Sequence, residues 1–384
     1  MIVAGMDSRL YVFDHQGQDW GGFPIELCAE ELCGISGTRT ITSPTIGDVD
    51  GDGDIEIGIA TNEAVDNESK SVSYLFDATT AEAVEGWPAA VSGLVGEAVL
   101  LPLIGEGHPA SLSFADIDGD GDMEIANAVM LGNNPPIHHD TSDAMTISFL
   151  GTDFSPQTNA NMPSLVQMVA NPVFGDLDQD GVPEYITGAV SSIYLASLAA
   201  RSVVEYQQGV GAWSGATGQM LEGWPRQIED VQFLAAPAIG DITGDGMPEA
   251  IMVSAGYLVH AWDATGTEAA GFPKMTGNWI LGSPALGDID GDGLLDVAVT
   301  TREGWLFVWG TQGRADQSLE WASIHHDAQN TGNYEHALPV QSGPADSDSE
   351  DRDCGCNGDK DQAWLLFPLL GLLSLRRRNV SFRQ

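Results

Sequence analysis

The stretch GDVDGDGDIEIGIAT (residues 47–61) returns as ADIDGDGDMEIANAV (115–129), GDLDQDGVPEYITGA (175–189), GDITGDGMPEAIMVS (240–254) and GDIDGDGLLDVAVTT (287–301). No other feature limits the fold as strongly. The first aspartates of the five copies are separated by 68, 60, 65 and 47 residues, the mark of a repeat protein with insertions of variable length. After each acidic loop comes a short aromatic-rich segment: SYLFD (73–77), TISFL (146–150), SIYLA (192–196), YLVHAWD (257–263) and WLFVW (305–309). Four units also carry a Gly-aromatic-Pro turn, at residues 22–24, 86–88, 223–225 and 271–273. The unit therefore reads strand, acidic loop, strand, hairpin, strand, turn, strand. Four short strands at this period are the signature of a propeller blade, in which each small sheet buries its faces against its neighbours.

These observations predict an all-β chain, a β-propeller of six or seven four-stranded blades over residues 1–336. The chain opens in mid-unit, with Ile2 to Ala4 matching a second strand and Leu10 to Asp14 a third. Either the true start lies upstream, together with a signal peptide, or a strand near residues 327–336 closes the first blade. Of the insertions, 92–110, 131–145, 151–170 and 198–220 are the candidate recognition loops, since binding commonly resides on loops held by a rigid scaffold. Trp213 is a candidate for stacking on a sugar or touching a protein, against the alternative of ordinary packing.

Within the first loop Asp48, Asp50, Asp52 and Glu56 occupy positions 1, 3, 5 and 9, Gly53 turns the chain at position 6, and Asp54 stands at position 7 with a backbone carbonyl to offer. Two bare carboxylates about 4 Å apart repel by on the order of 1 kcal/mol even in water, so a cation is expected among them. Hard oxygen ligands around a glycine turn suit Ca²⁺ better than Mg²⁺, which demands stricter octahedral order. Position 12 lacks the glutamate of an EF-hand, holding Ile59, Asn127, Thr187, Met252 and Val299; position 9 closes the cage instead. Asp116, Asp118, Asp120, Asp122 and Glu124 form a second set; Asp176, Asp178, Asp180 and Glu184 a third; Asp288, Asp290, Asp292 and Asp296 a fifth. The fourth has Thr243 at position 3 beside Asp241, Asp245 and Glu249, and is expected to bind most weakly because ligand charge helps to set affinity. The ions, about five, are expected to be structural.

The D-x-D-x-D-G-x-x-[DE] loops between short strands resemble FG-GAP repeats, also called VCBS repeats, of the calcium-binding β-propeller known from integrin α-subunits. The resemblance covers residues 1–335. It implies the fold and the metal, and is less specific about function, because such propellers serve as adhesins, lectin-like modules and appendages of secreted enzymes.

Net charge is −42 with only 14 Lys and Arg, four of them in the last nine residues, so no basic stripe exists for nucleic acid. Cys28 and Cys33 are a candidate disulfide in an exported protein, with free thiols and zinc as the alternatives. Residues 337–362 form a polar, acidic linker expected to be disordered, followed by AWLLFPLLGLLSL (363–375) and Arg376, Arg377 and Arg378. Thirteen apolar residues are short for a bilayer span, but their terminal place before an arginine cluster reads as a stop and sorting signal. Cys354-Gly355-Cys356, spacer, apolar segment and arginines resemble the MYXO-CTERM class of bacterial surface-sorting tails. That resemblance implies processing or lipidation at Cys354 or Cys356 and a place on the cell surface or outer membrane, with the tail as the link to the membrane.

No nucleophile elbow, zinc-protease motif or phosphate loop occurs; Gly34-Ile35-Ser36-Gly37-Thr38 is a near miss to the first. His-His-Asp occurs at 138–140 and 325–327. Adjacent histidines on a strand point to opposite faces, which limits each pair to one metal ligand, and the second copy looks like the segment that ends the propeller. The expected function is a non-enzymatic, calcium-binding adhesion or binding module for an extracellular protein or glycan. The alternative is the non-catalytic C-terminal part of a larger secreted hydrolase or lyase.

Overall fold

The computed structural model describes residues 1–5, 7–27, 42–61, 70–92, 111–126, 136–138, 146–148, 165–167, 171–191, 208–230, 232, 235–317 and 319–339. The chain divides into two units, Met1–Ala345 and Asp346–Gln384. Cys28, Cys33, Cys354, Cys356 and the apolar tail all lie outside the described residues.

Among the described residues there is no helix, and the strands form six antiparallel sheets in chain order. The first holds β1 (Ile2–Ala4), β2 (Arg9–Val12) and β3 (Ile25–Glu26). The second holds β4 (Thr45–Gly47), β5 (Glu56–Thr61), β6 (Lys70–Asp77) and β7 (Ala89–Ser92). The third holds β8 (Ser113–Ala115), β9 (Glu124–Ala126), β10 (Pro136–His138) and β11 (Thr146–Ser148). In the fourth, β12 (Leu165–Gln167) and β13 (Val173–Gly175) both pair with β14 (Glu184–Ser191), which continues to β15 (Gln208–Trp213) and β16 (Arg226–Ile228). The fifth holds β17 (Ala238–Gly240), β18 (Glu249–Val253), β19 (Leu258–Trp262) and β20 (Lys274–Met275). The sixth holds β21 (Ala285–Gly287), β22 (Leu294–Thr300) and β23 (Leu306–Arg314). A last strand, β24 (Leu319–Trp321), pairs with β17.

Apolar alternation explains why these sheets stack. Leu10 and Val12 pack on Ile57, Ile59, Tyr74 and Phe76, joining the first sheet to the second. Val49, Ala60 and Leu75 meet Leu112, Phe114 and Ile125, joining the second to the third. Phe174, Tyr185, Trp213, Ile239 and Trp262 share one cluster with Ala126, and Val253 and Val259 share another with Leu286 and Val297. Each valine, leucine, isoleucine or phenylalanine so buried contributes about 1.5–3 kcal/mol. The first strands of consecutive units also lie side by side, β4 by β8, β8 by β13 and β17 by β21. Close neighbours account for two of the glycines that precede the acidic loops. A Cβ on Gly47 would stand 2.7 Å from Asn333 Nδ2, and one on Gly175 would stand 2.5 Å from Ile239 Cδ1.

The final segment departs from expectation. No strand of the first sheet falls in residues 327–336, and β24, just before them, pairs with β17 and lies beside β13. Residues 331–334 then run along β4 and β8: Ile46 N–H donates to Thr331 O at 2.9 Å, Phe114 N–H to Gly332 O at 3.0 Å, and Tyr334 N–H to Phe114 O at 2.9 Å. The Glu320 carboxylate accepts from Asp176 N–H at 2.5 Å and from Tyr334 Oη at 3.3 Å. One C-terminal segment thus stitches together the first strands of four units.

Two further expectations are corrected. The first three residues of TISFL supply the outer strand β11 of the third sheet, with β10 between it and β9. On its other side β14 pairs with β15; SIYLA (192–196) lies outside the described residues. Every residue of β15 is buried, and Trp213 sits 5.9 Å from Tyr185, so the segment 198–220 carries core and Trp213 is not a recognition side chain. Likewise 131–145 contains β10 and 151–170 contains β12. The four Gly-aromatic-Pro turns are alike in having cis peptide bonds before Pro24, Pro88, Pro225 and Pro273. Trp224 is buried, donates from Nε1 to Ala264 O at 3.0 Å and meets Trp262 edge-on.

Candidate metal centres

Each acidic loop joins the first strand of a unit to its second, and all five have the same backbone geometry. The glycine at position 6 has φ of 95°, 102°, 93°, 92° and 87° at Gly53, Gly121, Gly181, Gly246 and Gly293, a region that side-chain-bearing residues adopt at a cost. Its N–H donates to the position 1 carboxylate at 3.1, 3.1, 3.0, 2.9 and 2.8 Å. The position 9 carboxylate folds back to accept the N–H of position 2 at 2.7, 2.7, 2.8, 2.9 and 2.8 Å. Asp296 does with one methylene fewer what Glu56, Glu124, Glu184 and Glu249 do.

Positions 1, 3 and 9 converge in the first three loops, with Asp48, Asp50 and Glu56, then Asp116, Asp118 and Glu124, then Asp176, Asp178 and Glu184 each bringing one oxygen within 4.8 Å of the others. At position 5, Asp52, Asp120, Asp180 and Asp292 each accept the backbone N–H two residues on, at 2.8 to 2.9 Å. In the fourth loop Asp241, Asp245 and Glu249 converge. There Thr243 Oγ1 donates to Glu249 Oε1 at 3.1 Å, filling the place of the third carboxylate. The side chain of Asp54 is exposed, in keeping with a role through its backbone.

Burial makes these cages costly without a cation. The position 9 carboxylates are 0–7 % exposed. Burial pushes Glu56 up to about 7 and Glu184 to about 8, with the neighbouring aspartates adding to the rise and the backbone N–H only partly offsetting it. Glu249 is pushed up to about 7 for the same first reason, and Asp50, Asp176 and Asp296 also rise through burial. Asp48 Oδ1 is buried with no hydrogen-bond partner, which is expensive for an acceptor left bare. An all-oxygen donor set with an orphaned oxygen and mutually repelling carboxylates fits a hard divalent cation such as Ca²⁺.

Thr243→Asp tests the ligand logic. In Ca²⁺ the variant is expected to bind roughly tenfold more tightly at this loop, since a further charge is added beside the ion. In EGTA it is expected to melt below the parent, since a repelling carboxylate has replaced a hydroxyl donor. Calcium titrations followed by differential scanning calorimetry check both signs.

A second cluster lies in the final segment, where Asp327, His326 and His336 each place a ligand atom within 4.8 Å of the others. Residues 325–327 are not on a strand, and of the two adjacent histidines only His326 joins the cluster, which keeps that pair to one ligand; Asp327 and His336 supply the others. His336, nine residues on, was not singled out by the sequence; only its place in the same short histidine-rich segment hinted at it. Of the other His-His-Asp copy, His138 ends β10, and His139 and Asp140 lie outside the described residues.

A family model described as an FG-GAP-like repeat matches residues 241–299, the fourth and fifth acidic loops with the strands between them. No curated protein sequence matches the chain. Among solved structures, the rhamnogalacturonan lyase PL11 of Bacillus licheniformis aligns at TM-score 0.44 and 14% identity, over 82% of this chain and 58% of that one. The exotype rhamnogalacturonan lyase YesX aligns at 0.42 and 14%, over 82% and 51%. The Dos1 propeller aligns at 0.47 and 10%, over 83% and 68%. The chain thus spans little more than half the length of either lyase.

Proposed function

We propose that this chain is a calcium-stabilised propeller of the FG-GAP type, exported to the cell surface, that serves as a non-enzymatic binding or adhesion module for an extracellular protein or glycan. The observation that carries the reading is the fivefold recurrence of one loop geometry, with a buried carboxylate at position 9 in every copy. Five cages of one kind, each between two core strands, serve to hold a scaffold rigid. A fixed scaffold is what a binding surface needs.

The ligand surface in this reading is the end of the sheets away from the acidic loops. Acidic loops precede β18 and β22; the turns that follow these strands carry Tyr257 and Trp305, which are exposed. Trp279 is exposed beside them, donates from Nε1 to Tyr257 Oη at 3.2 Å, and has the Arg302 guanidinium 5.3 Å from its ring centre. Rigid aromatics with a polar edge suit a sugar ring or a protein side chain. A screen of glycans and surface proteins, run with and without Ca²⁺, is expected to find a ligand whose binding is lost in Trp279→Ala at unchanged melting temperature. Undiminished binding by Trp279→Ala would move the ligand site elsewhere on the scaffold.

Anchoring is assigned to the tail, with Cys354 or Cys356 as the point of processing or lipidation. A chain ended after Pro339 is expected to appear in the medium while the full chain stays with the cells. Equal cell association of the two would remove the tail from this role.

A further inference from the structure

The final segment holds a group of side chains that the calcium-loop reading leaves unused. Asp327 is buried, and its carboxylate is held from several sides: Gln329 N–H and Thr331 N–H donate to Oδ1 at 2.8 and 3.2 Å, and Thr331 Oγ1 donates to Oδ2 at 2.5 Å. Two imidazoles approach the same Oδ2, His326 Nδ1 at 3.3 Å and His336 Nδ1 at 2.9 Å. His326 is buried, lies edge-on to Trp321 at 4.9 Å, and has φ of 72°. A non-glycine residue in that region costs of order 1 kcal/mol or more and persists where its surroundings hold it. Here the turn aims His326 and Asp327 at one point, with His336 closing from the surface at 46 % side-chain exposure.

We propose that His326, Asp327 and His336 form a binding site for a divalent transition metal of the Zn²⁺ class, distinct from the calcium loops. Metal–ligand bonds of about 2.0–2.1 Å in tetrahedral order set ligand atoms roughly 3.3 Å apart. The two nitrogen–oxygen separations, 2.9 and 3.3 Å, are close to that edge, and the remaining pair lies within 4.8 Å. Half-exposed His336 has room to adjust, and the fourth corner is left to water. Two imidazoles and a single carboxylate oxygen favour Zn²⁺, Co²⁺ or Ni²⁺ over Ca²⁺, which takes six to eight oxygens. The metal would join residues 325–327 to residue 336, the two ends of the stretch that hydrogen-bonds to β4 and β8, and so would clasp the segment on which the ring of first strands depends.

The test uses the full chain, free of any histidine tag and saturated with Ca²⁺. Titration with Co²⁺ is expected to give the strong visible absorption of four-coordinate cobalt, and calorimetry with Zn²⁺ to show one such site with a rise in melting temperature. His336→Ala is expected to weaken Zn²⁺ binding at least about tenfold, the lower bound for loss of even an outer-sphere partner. It should fold, since His336 is half-exposed. His15→Ala, an exposed histidine outside the cluster, should bind as the parent does. Equal Zn²⁺ affinity in the parent and His336→Ala, or no cobalt absorption in the parent, would overturn the site.

Discussion

Withdrawing calcium is expected to lower the melting temperature by about 10 °C. If each loop binds with a Kd near 0.1 mM, then about 1 mM Ca²⁺ contributes roughly 1.4 kcal/mol per site, or on the order of 7 over five loops acting independently. Unfolding entropy near 2.1 cal/mol/K per residue gives about 0.7 kcal/mol/K over the 345 residues of the first unit, hence the shift. Repulsion among the bare carboxylates is already contained in that Kd, so the loss equals the binding free energy of the ions. A melt in EGTA that superimposes on one in Ca²⁺ would mean that the loops stand unaided. A fall restored by Ca²⁺ but not by an equal concentration of Mg²⁺ would support the preference for a larger, more flexible oxygen shell.

Replacing His260 by Leu is expected to cost about 3 kcal/mol, the lower end of what is lost when one member of a buried charge pair is removed. His260 on β19 is buried between two carboxylates, with Nε2 3.0 Å from Glu229 Oε2 and Nδ1 3.0 Å from Glu268 Oε1. Its ring stacks on Trp262 at 4.7 Å, whose Nε1 also donates to Glu268. Burial alone would lower its pKa, but hydrogen bonds to Glu229 and Glu268 outweigh burial and raise it from 6.5 to about 9. A group raised in the folded state contributes stability that is complete below its unfolded pKa and is lost as pH rises through the folded value. With the acidic loops saturated by Ca²⁺, so that their raised carboxylates do not titrate in the same range, the parent should therefore lose stability between about pH 6.5 and 9, while His260→Leu, already lower, should lose less over that window. The same pH slope in both proteins would show that His260 is not the charged link between the two glutamates. Calorimetric melts at half-unit steps of pH resolve the two cases.

The acidic loops were legible because their spacing reports a backbone requirement directly. Glycine at position 6 is read off the page as a positive φ, and aspartates at alternate positions can all face inward only around such a turn. The strands SYLFD, YLVHAWD and WLFVW were legible too, since aromatic residues alternate in them beside a loop that fixes their start. β15 has no clear strand signal because QGVGAW carries two glycines, which weaken strand propensity. Its use of Gly211 is a packing matter invisible in one dimension: the Trp213 ring folds back so closely that a Cβ there would stand 2.2 Å from it. The histidine cluster was half legible. His325-His326-Asp327 stands out by its pattern and one ligand from its histidine pair is what the structure has, but the left-handed turn at His326 that brings Asp327 and the distant His336 to the same point has no local signal. The placement of residues 331–334 against β4 and β8 spans more than two hundred residues of sequence, and no local pattern encodes a contact of that range.

The central claim is that the five loops are cation cages that hold the scaffold. Equilibrium dialysis of the full chain against about 1 mM free Ca²⁺ counts the bound ions directly. One ion for each loop is predicted, and Glu184→Gln, which keeps the shape of the position 9 side chain but removes its charge, should bind one fewer. A parent that binds no calcium, or a count that Glu184→Gln leaves unchanged, would contradict it.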